Sequence, residues 1–274
     1  MWFALPKEIP TRILTRVPDR FGRLRRTEWA DANRSGESSP GGPLLRRPGR
    51  PHVVDIPYGR IFRIEGDDWP LVAEYPGWLN AQKIQPDGIL IVADCRNGLI
   101  LIDPATGVVL QTVTSESFKG LNELDVASRR LHPVHRPEPD RAARDPTDRL
   151  WRLHKDGRID RLIATSPSLD GLILNAAETH LYVAMTRSWK VWRFLLRPDA
   201  AVAQAQCFAQ VPADPIGPNG LAMQGGPPAY FQPRPRLHPD RRSAWRATVP
   251  CAVLHRPDDH QLRPDSGQAP SRHH

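Results

Sequence analysis

Val53-Val54-Asp55-Ile56-Pro57-Tyr58-Gly59-Arg60-Ile61-Phe62-Arg63-Ile64 reads as an apolar strand, a polar turn and an alternating strand. Thirty-nine residues on, 92–103 (VADCRNGLILID) repeats that pattern. Residues 181–194 (LYVAMTRSWKVWRF) lie 91 beyond 90–103 (LIVADCRNGLILID), which is about two periods of 45. Alternation of apolar and polar residues marks a half-buried strand, and Asn-Gly is hairpin-turn chemistry. A β-hairpin therefore recurs every 40-odd residues.

Working outward, each hairpin is followed by turn residues such as Asp103-Pro104-Ala105-Thr106-Gly107, Lys155-Asp156-Gly157 or Arg197-Pro198-Asp199. A further strand follows each turn: Val108-Val109-Leu110, Ile159-Asp160-Arg161-Leu162 and Ala201-Val202-Ala203. Apolar stretches at 80–84, 171–174 and 220–223 stand before a hairpin position. About four short strands per period is the arithmetic of a β-propeller blade. A sandwich would not repeat its hairpin at fixed spacing. The fold class is thus all-β, of the propeller type. Trp151, Trp189 and Trp192 fall in strand patterns and are expected to pack between blades. His154 and His180 fall in turns and read as solvated side chains.

Three stretches break the period: 38–52, 129–146 and 224–274. They hold 17 of the 30 prolines and 8 of the 10 histidines. Their net charge is +9, whereas the whole chain of 274 residues carries +8. The remaining residues are close to neutral, so the basicity belongs to these stretches. Lysine and aromatics are sparse in them, and proline breaks any helix or strand that would present arginines to phosphates. Nucleic acid is therefore not an expected partner. Rising Arg, Pro, His and Gly with falling strand formers is also what out-of-frame reading of GC-rich codons gives. The expected organisation is an N-terminal segment 1–37, blades over 38–223 interrupted at 38–52 and 129–146, and a disordered Pro/Arg-rich tail over 224–274. A Leu131-His132-Pro133-Val134 sequence cannot be a central strand, because proline donates no ladder hydrogen bond.

No run approaches the 18 apolar residues or so of a membrane helix. The N-terminal MWFALPKEIP has no basic n-region, and the cytoplasm is the expected location. Cys95, Cys207 and Cys251 fit neither a zinc spacing nor a disulfide framework.

Glu28-Trp29-Ala30-Asp31-Ala32-Asn33, residues 53–64, 118–125 (FKGLNELD), 174–183 (LNAAETHLYV) and 217–223 (GPNGLAM) occur in order at blade spacing. In these motifs the chain resembles the senescence-marker-protein/gluconolactonase family, the regucalcin-like six-bladed propellers. The resemblance covers about 28–37, 53–128 and 147–223. It implies a metal-dependent hydrolase of lactones, some relatives acting on organophosphates, with the ion at the propeller axis. The ligands implied are one Glu, two Asn and one Asp, the Asp also serving in catalysis. Oxygen donors of that kind suit calcium and related divalent ions, with zinc, magnesium or manganese as alternatives.

Carried onto this chain, the family's Glu falls at Gly41, which has no side chain to ligate. The first Asn falls at Asn122. The second falls at Asp170, in Leu169-Asp170-Gly171-Leu172, and the catalytic Asp at Asn219, in Pro218-Asn219-Gly220-Leu221. Metal ligands are accordingly expected at Asn122, Asp170 and Asn219, with Asn219 in the catalytic position and Asn80 at the pocket mouth. One carboxylate remains of two, and affinity for a dication falls with ligand charge. The expected function is a gluconolactonase-like hydrolase of small lactones or sugar-acid lactones, impaired by those losses. The alternative is a non-catalytic propeller that binds a ligand, or a non-functional truncated product. A six-bladed ring is expected to be incomplete.

Overall fold

The computed structural model describes residues 7–9, 17–21, 40–44, 51–118, 120–127, 132–136, 148–164, 168–211, 217–223, 228–231 and 251–253. Among them lie five antiparallel sheets. The first is built from β2 (Pro40–Leu44), β3 (His52–Asp55), β4 (Arg60–Arg63) and β5 (Leu71–Glu74), in that spatial order. The second runs β6 (Leu79–Ile84), β7 (Leu90–Asp94), β8 (Gly98–Ile102) and β9 (Val109–Val113). The third has three strands, β10 (His132–Arg136), β11 (Arg149–Leu153) and β12 (Ile159–Ile163). The fourth is β13 (Leu169–Leu174), β14 (His180–Met185), β15 (Lys190–Leu196) and β16 (Val202–Gln210).

The fifth sheet joins chain segments far apart in sequence. β17 (Leu221–Ala222), β18 (Ala229–Phe231) and β19 (Cys251–Val253) are followed at the outer edge by β1 (Lys7–Ile9). Lys7 pairs with Val253 and Ile9 with Cys251. Two strands therefore occur inside 224–274. Those six residues are strand where a disordered tail is expected, and, Pro228 apart, the rest of 224–274 lies outside the described residues. Likewise Pro40–Leu44 and His132–Arg136 are strands within the two interruptions. Both sit at a sheet edge, where a proline's missing N–H costs no ladder bond. A sixth sheet is not found among the described residues.

Burial follows position in the blade. β7 is buried at every residue and β9 is exposed along nearly its whole length. A middle strand of a middle sheet is covered on both faces, so Leu90-Ile91-Val92-Ala93 can be apolar throughout. Sheets then pack face to face through apolar clusters. Val54, Ile61 and Ala73 of the first meet Leu79, Leu90, Val92, Ile100 and Ile102 of the second. Ala81, Ile91 and Leu99 meet Leu153 and Trp151 of the third through Phe118, Leu121 and Leu124. Leu150 packs with Leu169, Leu181, Val183 and Phe194 of the fourth, and Trp192 lies against them. Tyr182, Val191 and Val211 meet Leu221 and Met223, with Trp189 alongside. All three tryptophans thus pack into inter-sheet clusters, as expected.

The tight turn between β7 and β8 shows the local sequence at work. Asp94 Oδ1 accepts from the N–H groups of Arg96 at 2.8 Å and Asn97 at 2.9 Å. Gly98 then takes φ +95°, and a Cβ there would stand 2.6 Å from the Val113 carbonyl. Outside the first sheet, Val17 and Phe21 pack against Phe62 and Trp69. Arg60 holds that segment: its Nη2 donates to the Phe21 carbonyl at 3.2 Å and its Nε to Asp55 at 3.0 Å. No helix among the described residues is long and apolar enough to cross a membrane.

Candidate functional site at the inner strands

The first strands of successive sheets are neighbours: β2 lies beside β6, β10 beside β13, and β13 beside β17. Residues at their starts are therefore brought together from distant parts of the chain. Each of three inner strands breaks register there, between Gly41 and Leu44, Leu79 and Ala81, and Leu169 and Leu172. A bulge re-aims the side chain it carries. Asn80 and Asp170 stand within two of these irregularities, and Gly41, paired with Val54, borders the third.

Asp170 is the centre of the cluster. Asn122 Nδ2 donates to its Oδ1 at 3.1 Å across 48 residues of sequence. Thr186 Oγ1 stands 3.3 Å from its Oδ2 and 2.8 Å from the Pro218 carbonyl. The Gly171 N–H donates to the Asn219 carbonyl at 2.7 Å. A Cβ on Gly171 would stand only 2.4 Å from that carbonyl oxygen, so the backbone contact demands glycine. The Asp-Gly pair here serves close approach between the fourth and fifth sheets, not a hairpin turn.

The structure thus brings Asn122 and Asp170 into contact and sets Asn219 against them through its backbone. The Asn219 side chain itself is exposed. Asn80 has a different part: its Nδ2 donates to the Leu121 carbonyl at 2.9 Å, which fixes the segment that carries Asn122. Gly41 contributes backbone pairing to Val54.

Three charged groups beside this cluster were not singled out from sequence. Glu123 follows Asn122, and burial pushes its carboxyl up to about 7 against the pull of Lys83; Asp170 and Asp125 push further up. Lys83 is pulled down by burial, but Asp125 and Glu123 outweigh that and hold it above its ordinary value. Lys83 Nζ lies 3.7 Å from Asp125 Oδ1, and Asp125 Oδ2 accepts the Leu174 N–H at 2.7 Å. The signal is present in FKGLNELD, where Glu123 and Asp125 follow Asn122 within three residues. What sequence lacked was the lysine, which β6 brings across from residue 83.

A metal fit can be judged from the donors. Asp170, Asn122 and Asn219 offer hard oxygens of the right kind for calcium. Among the described residues no group of three or more His, Cys, Asp or Glu could hold an ion. The set is right in chemistry and short of charge.

No protein-family model matches the sequence, and no curated protein matches it significantly. Solved structures do match. A calcium-binding regucalcin from Agrobacterium tumefaciens aligns at TM-score 0.59 and 17% identity, over 71% of this chain and 67% of that one. The chain has the regucalcin and gluconolactonase fold. A gluconolactonase from Xanthomonas campestris aligns at TM-score 0.59 and 20% identity, over 72% and 70%. Virginiamycin B lyase from Staphylococcus aureus aligns at TM-score 0.52 and 14% identity, over 70% and 62%. A calcium-binding protein, a gluconolactonase and a lyase share this architecture, so the architecture alone fixes no reaction.

Proposed function

We propose that the chain is a metal-dependent hydrolase of the lactonase type, gluconolactonase-like and cytoplasmic, whose inner-strand site is weakened. The meeting of Asn122 with Asp170 carries this reading. Two residues named by the family resemblance, 48 apart in sequence, converge at the start of the inner strands. Asn122, Asp170 and Asn219 would hold a divalent ion, calcium suiting an all-oxygen set best. Bound there, the ion would polarise the carbonyl of a small lactone or sugar-acid lactone. The weakening has two sources. Gly41 removes one anionic ligand, and Asn219 puts an amide where a proton-accepting carboxylate is implied.

The test is thermal unfolding with and without calcium, together with hydrolysis of gluconolactone by the natural chain and by Asn219→Asp. Expected are a small calcium shift and slow turnover, the shift growing and the turnover rising at least about tenfold with the added carboxylate. Fast turnover by the unaltered chain would overturn the weakening. No gain in Asn219→Asp would remove that residue from the site.

A second reading has its own observation. Asp170 Oδ1 already accepts from Asn122 Nδ2, and its Oδ2 shares the single Thr186 hydroxyl proton with the nearer Pro218 carbonyl. A carboxylate engaged with protein in that way suits a propeller that binds a ligand without catalysis. Absence of calcium stabilisation and of turnover in both proteins would favour it.

A further inference from the structure

A concavity of about 200 Å³ opens between the third and fourth sheets. It is separate from the inner-strand cluster. Leu174 on its wall ends β13, whereas Asp170 is the second residue of that strand. At about 3.3 Å per residue the two stand roughly 13 Å apart.

The wall is Leu162, Leu174, Leu181 and Leu196, and Arg152 also lines the space although it is only 7% exposed. Two turns frame the mouth and both are pinned. Asn175 Oδ1 accepts the N–H groups of Thr179 and His180, each at 2.9 Å. Ala200 N–H donates to the Arg197 carbonyl at 2.7 Å, and Leu196 N–H to the Thr179 carbonyl at 2.8 Å. The pocket is therefore formed in advance of any ligand.

Arg152 is held from one side. Its Nη2 donates to Asp160 Oδ2 at 2.6 Å and its Nη1 to the Asp199 carbonyl at 2.7 Å. Its Nε donates to His154 Nε2 at 3.1 Å, and that nitrogen also stands 2.6 Å from Asp160 Oδ2. Arg158 Nη2 stands 3.3 Å from His154 Nδ1. His154, read from sequence as a solvated turn residue, is instead part of the device that aims Arg152.

Nη1 and Nη2 of Arg152 each retain a second N–H that meets no acceptor among the described residues. A buried N–H left unpaired costs on the order of 1–3 kcal/mol. Two such groups on one planar guanidinium form the fork that matches a carboxylate. Of the lining residues Arg197 is the other cation and Glu178 the single acid. The size sets the rest of the ligand. A dry cavity of about 150 Å³ takes benzene, so the larger space here has room for a ring and its carboxylate.

We propose that this pocket is a binding site for a small aryl monocarboxylate of benzoate size, the carboxylate on the Arg152 fork and the ring among the four leucines. The test titrates the full chain calorimetrically with benzoate, its neutral isostere benzamide, and acetate. Benzoate should bind one saturable site, benzamide at least about tenfold more weakly, and acetate not measurably. Arg152→Gln removes the fork but also strands Asp160, so two exposed-turn variants carry the test. Ala177→Trp, which fills the mouth, should abolish benzoate binding. Glu178→Gln, which removes the opposing charge, should tighten it about two- to threefold. No benzoate binding, equal binding of benzamide, or benzoate binding unchanged in Ala177→Trp would each overturn the proposal.

Discussion

The second and fourth sheets differ from the first, third and fifth in where their strands come from. The second and fourth are four-stranded meanders built from consecutive sequence with clear alternation. Each of the others draws at least one strand from a Pro/Arg-rich stretch. The difference shows in side-chain commitment. β7 and β14 are buried almost throughout and feed clusters on both neighbouring sheets. β10 stays at an edge, and Leu150 and Leu153 of the neighbouring β11 are buried. Stability should therefore concentrate in the meanders and in whatever pins the irregular sheets to them.

The largest expected effect tests that pinning. Asp55 and Arg60 form a buried ion pair in the first sheet, with Arg60 also stacked 4.5 Å from the Tyr58 ring centre. Removing one partner strands the other in a nonpolar surrounding, which costs about 3–5 kcal/mol. Asp55→Ala should lower the unfolding free energy by that amount, read as a fall in the urea midpoint at unchanged slope. It should also speed proteolysis near residues 17–21, which Arg60 holds. A midpoint unchanged within error would show that the first sheet does not depend on this pair.

Next comes the meander core. Leu181 is fully buried between the third and fourth sheets. Leu181→Ala should cost about 2–5 kcal/mol. The same truncation at Leu195, exposed on β15, should cost less than about 0.5 kcal/mol. Equal costs at the two positions would break the picture of a committed inner face.

The third sheet supplies a pH-dependent contribution. Asp160 is held down to about 2, first by its hydrogen bond from Arg152, then by His154 and by the charge of Arg158. A carboxylate whose folded value lies below its ordinary one near 3.8 stabilises the fold above that ordinary value. That contribution is lost as pH falls from about 4 to about 2. Asp160→Asn should be less stable than the natural chain at pH 7 and converge with it below pH 2. Asp160 is about a quarter exposed, so solvent screening keeps the effect below that of the Asp55 pair. Parallel stability curves across that window would refute the assignment.

Legibility in sequence tracked the same divide. The hairpins at 53–64, 90–103 and 181–194 announced their strands because alternation and turn residues are local signals. Asn122 and Asp170 are reachable through the family resemblance, whose motifs stand at blade spacing. Glu123 with Lys83, and Arg152 with His154 and Asp160, were not, since their environment is made by strands that meet only in the folded chain. The pairing of Lys7–Ile9 with Cys251–Val253 lay further still from view. Nothing local marks two segments at opposite ends of a sequence as neighbours, and a proline-rich context argues against strand.

The smallest expected effect is the sharpest test of the edge strands. Pro133 pairs with Arg152 from the edge strand β10, while the neighbouring middle strand β11 keeps its bonds to β12. If β10 adds little beyond covering that edge, Pro133→Ala restores one N–H to a position with little demand for it. The unfolding free energy should then move by less than about 0.5 kcal/mol. The equivalent insertion of proline at Val92, in the middle of the second sheet, removes a ladder bond of β7, which is paired on both sides by β6 and β8, and should prevent folding. Two prolines in strands of one molecule, one tolerated and one not, would show that the Pro/Arg-rich stretches survive in this fold because it uses them where hydrogen bonding asks least.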